Sequence, residues 1–197
     1  IWQLDRLEQR RAFNTRVITQ LEADPLELEG EALYTDLYNM EYRTVRVEGE
    51  YNSDGEIAIR NQVYQGRWGA HLVTPLRIQN SDRAVLVDRG WIPGEAFQSG
   101  EWAQFAEPGT VTVEGVIRRP QAQADFGGRS DATPAPGETR KAWNFVNVEA
   151  INQQTEADLL PIYIHQSPGT GEDSLPYRTE NEVEITEGSH MGYAIQW

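Results

Sequence analysis

Three histidines, His71, His165 and His190, are the side chains of this 197-residue chain best suited to ligate a metal or carry a proton near neutral pH, and they lie far apart in sequence. No two of them have the one-turn spacing of a helical zinc motif. The chain has no cysteine, which excludes thiolate zinc sites, iron-sulfur clusters, thiol nucleophiles, cysteine copper sites and disulfides. His190 has the most suggestive company. Ser189 can cap a helix that sets His190, Tyr193, Ala194 and Trp197 at i, i+3, i+4 and i+7, so one face carries an imidazole beside two aromatic rings. Tyrosine and tryptophan favour the boundary between membrane and water, because the ring is apolar while its O–H or N–H still finds water. Residues 188–197 are therefore expected to start a helix about to enter lipid, and Trp2 fits a helix that has just left it, with both ends at one membrane surface. From spacing alone, the same aromatics serve equally well as cover for the core of a soluble domain.

Other chemistry finds little to work with. There is no G-x-S-x-G elbow, P-loop, dinucleotide fingerprint or zinc motif, so the chain is not expected to be an enzyme. Asp and Glu are plentiful everywhere, which prevents any carboxylate pair from being singled out. A net charge of −14, with no basic cluster larger than Arg10-Arg11 or Arg118-Arg119, disfavours tracking of a phosphate backbone, and no nucleic-acid partner is expected. The single lysine, Lys141, is unlike the lysine-rich loops that stay cytoplasmic, which favours the outer side of a membrane. No stretch approaches the roughly 20 apolar residues that a membrane helix needs. The chain nevertheless starts at Ile1 without methionine and stops at Trp197 inside an amphipathic pattern rather than at a turn, so the sequence is expected to continue in both directions.

The elements that must hold these residues follow from periodicity. Leu4, Leu7, Ala12, Val17, Ile18 and Leu21 recur among charges with no Gly or Pro, predicting a helix over 2–22 within a terminal unit 1–23 that ends before Asp24-Pro25; a short second helix is expected over 29–38. From Tyr42 the period is two: Val45, Val47, Gly49 and Tyr51 face one way while Thr44, Arg46, Glu48 and Glu50 face the other. Strands over 56–61, 70–78 and 83–92 follow, separated by the turn signals Asn52-Ser53-Asp54-Gly55, Gly66 and Asn80-Ser81-Asp82, which makes an antiparallel meander. Ala84-Val85-Leu86-Val87 is apolar on both faces and belongs in the middle of a sheet or under a helix. A short helix near 94–105, a strand through Val111, Val113, Gly115 and Ile117, a strand over 143–148, a helix over 149–158, a strand over 162–166 and a Pro/Gly-rich loop over 167–177 complete the reading. Residues 120–142, poor in apolar side chains, are expected to form a mobile loop within a single domain, 1–197.

The pattern V-x-V-E-G occurs at 45–49 and again at 111–115. It reads either as two related halves of a barrel-like sheet or as a common way to write a curved strand. The expected class is mainly β (α+β): an antiparallel barrel-like or strongly curved sheet with flanking helices at both termini.

Several segments in order carry a resemblance. They are Trp2-Gln3 with Arg6; Tyr42-Arg43-Thr44-Val45-Arg46-Val47-Glu48-Gly49; Gly69-Ala70-His71-Leu72-Val73-Thr74-Pro75-Leu76; and Val85-Leu86-Val87-Asp88-Arg89-Gly90-Trp91-Ile92-Pro93. Val113-Glu114-Gly115, Leu160-Pro161-Ile162-Tyr163 and the closing His190, Tyr193-Ala194 and Trp197 come later. Together they resemble the Surfeit locus protein one family, the assembly factors of cytochrome c oxidase, along nearly the whole chain. The R-G-W-I-P stretch and the H-x-x-Y-A-x-x-W ending are its most specific parts. Where the family usually has asparagine before the closing histidine this chain has Ser189, which keeps the capping role.

The resemblance implies two transmembrane helices flanking a domain on the outer, periplasmic or extracellular, side of the cell membrane. It also implies contact with lipid through those helices, with the catalytic subunit of cytochrome c oxidase and with haem a synthase, and a role in building that subunit's haem a sites. If haem a is bound transiently, its iron needs an axial ligand, and His190 is the candidate. Tyr193 and Trp197 then pack on the porphyrin or its tail, and Arg89 pairs a propionate through its planar fork. The alternative is a scaffold that stabilises the oxidase subunit without binding haem. Arg89 also reads as a structural ion-pair partner of Asp88 or an acidic loop, Trp91 as core, and His71 and His165 as satisfied structural residues.

Overall fold

The apolar alternations Val45/Val47, Val85/Val87 and Ile162/Ile164 converge on one interior. The computed structural model describes residues 2–124, 128, 130–170, 173–183 and 185, so the helix expected over 188–197 lies outside the described residues. In chain order the elements are α1 (Trp2–Glu22), β1 (Leu26–Glu27), β2 (Thr44–Tyr51), β3 (Ile57–Tyr64), β4 (Arg67–Ile78), β5 (Arg83–Pro93), α2 (Gly94–Ser99), β6 (Thr110–Arg118), β7 (Ala142–Trp143), α3 (Val148–Asn152) and β8 (Asp158–Gln166).

Five of these strands close into a barrel in the order β2, β6, β8, β5, β4 and back to β2. The expected antiparallel pairing holds around the barrel except at one seam, where β5 and β8 run parallel. A parallel pair needs a long crossover, and everything between residues 94 and 157 supplies it. Counted along the barrel strands, neighbours run first, second, third, fifth, fourth, first, with third and fifth parallel. This is the connectivity of the OB-fold, a five-stranded Greek-key barrel.

The two V-x-V-E-G segments are direct neighbours in this barrel: Val45 faces Gly115, Val47 faces Val113 and Gly49 faces Val111 across the β2–β6 ladder. Both glycines allow a third strand to come close. A Cβ on Gly49 would lie 2.1 Å from the Arg77 carbonyl oxygen, and one on Gly115 would lie 2.2 Å from that of His165. The repeat therefore marks curved strands at the barrel seams.

Local chemistry moved several boundaries. The single helix expected over 29–38 is two 3₁₀ turns, Gly30–Tyr34 and Leu37–Met40, because the Thr35 hydroxyl and N–H both turn back on the Ala32 carbonyl and end the first. Leu33 and Leu37 drop from these turns into the barrel core. The helix expected near 94–105 stops at Gly100, which takes a left-handed conformation, and resumes as a 3₁₀ turn at Trp102–Phe105. The strand expected over 143–148 pairs only at Ala142 and Trp143, since the N–H groups of Asn144 and Phe145 donate to the Asp131 carboxylate instead. The helix expected over 149–158 is the single short turn α3.

In an OB-fold the face of the second and third strands, with the loops joining strands one to two and four to five, is the usual ligand platform. Here those connections hold β3 on one side and the 120–142 loop, β7 and α3 on the other. Ile57, Ile59, Trp143 and Ile151 bury Val73 and Leu86 beneath them, so β5 is covered on both faces and the usual platform is filled by the chain itself.

Candidate functional site

The second half of β5, Asp88-Arg89-Gly90-Trp91, does something different with each residue. Arg89 follows Val85 and Val87 on the inward side and caps one end of the barrel, with its guanidinium 4.8 Å from the Tyr51 ring and only 1 % of the residue exposed. A bare buried cation would be strongly destabilising. Nη1 donates to Glu56 Oε2 at 2.8 Å, and Nη2 donates to Glu107 Oε2 at 2.8 Å and to the Phe105 carbonyl. Glu56, buried as well, also accepts from the Thr74 hydroxyl at 2.5 Å. Burial pushes the pKa of the neighbouring Tyr51 hydroxyl up, although Arg89 pulls it back, so the phenol stays neutral and donates to Gln166.

Asp88 points to the outer side and lies between two imidazoles from neighbouring strands. His71 Nδ1 on β4 is 2.9 Å from Asp88 Oδ2, and His165 Nδ1 on β8 is 3.9 Å from the same oxygen. Burial opposes a charged His71, but the Asp88 carboxylate outweighs it and holds the histidine pKa above its usual value. Burial likewise pushes Asp88 up, and His71 outweighs it, leaving the carboxyl below its usual range. His165 Nε2 lies 2.8 Å from the Thr179 carbonyl, so that nitrogen carries a proton.

Gly90 and Trp91 receive the chain on its way out of β8. Trp91 and Tyr177 exchange two backbone hydrogen bonds, 2.9 and 2.8 Å, and their rings stack at 6.1 Å with planes 6° apart. Tyr177 comes so close that a Cβ on Gly90 would sit 2.5 Å from its carbonyl oxygen, and Gly90 has φ +121°, a value side-chain-bearing residues avoid. Arg178 Nε then donates to the Arg89 carbonyl at 3.2 Å and its Nη2 to Glu107 at 3.4 Å. Arg118 donates to the Asn181 side chain at 2.5 Å. Residues 174–181 thus form a strap docked on the motif. Arg118 also lies over the Tyr42 ring, which meets Phe13 of α1 edge-on at 6.5 Å, so the strap is linked to α1 through two intervening side chains.

A family model described as the SURF1 family matches residues 1–197. The chain belongs to the SURF1 family. Over its whole length it is 23 % identical to a SURF1-like protein of Caenorhabditis briggsae and 27 % identical to Surfeit locus protein 1 of Mus musculus, covering 65 % of each. It is 24 % identical to Surfeit locus protein 1 of Homo sapiens, covering 67 % of it. The chain spans about two thirds of the length of these relatives.

In this SURF1 domain the residues singled out from sequence separate. Arg89 is held by an acidic partner from each of two loops. His190, Tyr193 and Trp197 lie outside the described residues. Trp2, the first residue of α1, is 68 % exposed. His71 and His165 are partnered as structural residues, and Asp88 joins them into one cluster that the sequence reading missed. A signal for it exists in the outward parity of Asp88 on a strand whose other outward residues are apolar. Naming its partners required the strand order. The strap was also missed: residues 167–177 read as a loop, without its dock. Among the described residues no group of three or more His, Asp or Glu is arranged to hold a metal, and no helix is long and apolar enough to cross a membrane.

Proposed function

We propose that this SURF1-family chain assists the assembly of haem-copper cytochrome c oxidase, delivering or inserting haem a into the catalytic subunit at the outer face of the membrane. The observation that supports this best is the strap. It links the segment that leads to the H-x-x-Y-A-x-x-W ending to Phe13 of α1 through Arg118 and Tyr42, which fits a domain whose two ends are held on one side. His190 serves as the axial ligand of the haem iron, Tyr193 and Trp197 pack on the porphyrin or its tail, and Arg89 meets a propionate. The partners are the catalytic subunit, haem a synthase and the lipid around the flanking helices. No catalytic step is assigned to the chain.

The test is to express the full-length protein with its flanking helices in cells that make haem a, and to record absorbance spectra of wild type and His190→Ala. Loss of most of the haem band is expected in the variant. A band that survives removes His190 as the ligand, and a wild type with no band favours a scaffold that holds the oxidase subunit without haem.

A further inference from the structure

One titratable side chain touches both the strap and the outer side of β5. His165 Nε2 donates to the Thr179 carbonyl at 2.8 Å, and its Nδ1 lies 3.9 Å from Asp88 Oδ2. Because Nε2 carries the proton, Nδ1 of the neutral ring is a bare lone pair, and it is set towards a carboxylate. Asp88 is already engaged: Oδ1 accepts from the Gly90 N–H at 3.1 Å, and both oxygens face His71 Nδ1, at 3.0 and 2.9 Å. A neutral His165 therefore sets a lone pair against negative charge, and a protonated His165 turns the same contact into an attraction. The other neighbours are committed elsewhere. On β6, Val116 stands opposite His165, while Arg118 turns to Asn181 and Glu41, and Glu114 turns to Arg46. Tyr163, two residues back on β8, stays neutral because burial pushes its pKa up to about 12. On the strap, Arg178 turns to the Arg89 carbonyl and to Glu107, and Glu180 is exposed.

We propose that His165 is a pH-dependent latch for the strap: protonated, it rivets Thr179 to Asp88, and neutral, it holds Thr179 by one weaker hydrogen bond. Both ring nitrogens of the protonated form are donors. Closing the 3.9 Å gap then joins Thr179, His165, Asp88 and His71 in one row across β8, β5 and β4. The charge also strengthens the bond to Thr179, since charge-assisted hydrogen bonds are roughly twice as strong as neutral ones. The latch is closed on the acid side of the histidine range and opens as pH rises. Through the strap the chain continues towards His190, Tyr193 and Trp197, so the latch sets how firmly that ending is tethered to the barrel. It does not rest on the haem reading.

Hydrogen exchange at the Tyr177 amide of the full chain, expressed as protection relative to the unfolded rate, reads the latch between about pH 5 and pH 8. Protection in the wild type should fall roughly tenfold across that window, the scale of one charge-assisted hydrogen bond. His165→Gln keeps an N–H donor for Thr179 but does not titrate, so its protection should stay level. His71→Gln removes the other imidazole; there the step should remain at Tyr177 and be absent at the Val87 amide in the barrel. The ring nitrogens of His165, followed by NMR in the wild type, should change protonation over the same window as the Tyr177 step. No step in the wild type, a step that survives in His165→Gln, or a His165 ring that keeps one protonation state through the step overturns the latch. Loss of the step in His71→Gln, or a step there that Val87 shares, overturns it as well.

Discussion

The two halves of β5 are equally buried and differ in what buries them. Ala84, Val85, Leu86 and Val87 are covered by apolar neighbours, with Val85 and Val87 in the barrel interior and Ala84 and Leu86 under the β7–α3 layer. Asp88, Arg89, Gly90 and Trp91 are covered by matched polar groups and by the strap. Hydrophobic cover is non-directional and tolerates any side chain of suitable volume, whereas the second half needs named partners at set distances. The first half should therefore be robust in identity and costly only in volume, and the second should fail through loss of particular contacts.

The largest effect is expected where a buried charge loses its counterpart. Arg89→Ala leaves Glu56 buried and unpaired and should destabilise the fold by about 3–5 kcal/mol. Urea unfolding measures this, and a cost within a few tenths of a kcal/mol of zero would break the comparison. Leu86→Ala, in the apolar half, should cost about 2–5 kcal/mol through the cavity it leaves. It should do so without singling out the strap: hydrogen exchange at the Tyr177 amide should rise only in step with global stability.

Gly90→Ala should cost less overall, about 1–3 kcal/mol for a side chain forced into the left-handed region. Its effect should be local, because the added Cβ meets the Tyr177 carbonyl. The amides of Trp91 and Tyr177 should lose protection while those of Val85 and Val87 keep theirs. Equal loss along the whole strand would show that the dock and the core are one cooperative unit.

The same contrast explains what could be read in advance. Period-two alternation and an all-apolar run report on local geometry and burial, so β2, the central place of β5 and the barrel-like class were legible. The dock depends on residues brought from four separate segments: His71 from β4, Glu107 from a loop, His165 from β8 and Thr179 from the strap. No local period encodes such a meeting. Arg89 shows the limit from the other side. Its side chain was a sound candidate for a carboxylate partner, but only the fold shows that Glu56 and Glu107 already occupy it. The ending with His190, Tyr193 and Trp197 was legible as a pattern, and its structure lies outside the described residues.

The smallest effect should come from pH, and it isolates the outward side of the dock. The pKa of His71 is raised by folding, so the stability it contributes is fully present below the usual histidine value of 6.5 and is lost as pH climbs through the raised value. The pKa of Asp88 is lowered, so its contribution is present above the usual 3.8 and fades as pH falls through the lowered value. The pair therefore supports the strand most between those two usual values, and melting temperature should decline on the alkaline side as His71 gives up its proton. His71→Gln removes the titrating ring and should flatten that alkaline decline. Leu86→Ala should lower the curve without changing its slope, since nothing it touches titrates there. An alkaline decline that persists in His71→Gln would assign it to another group and leave the imidazole–carboxylate contact as geometry without energetic weight.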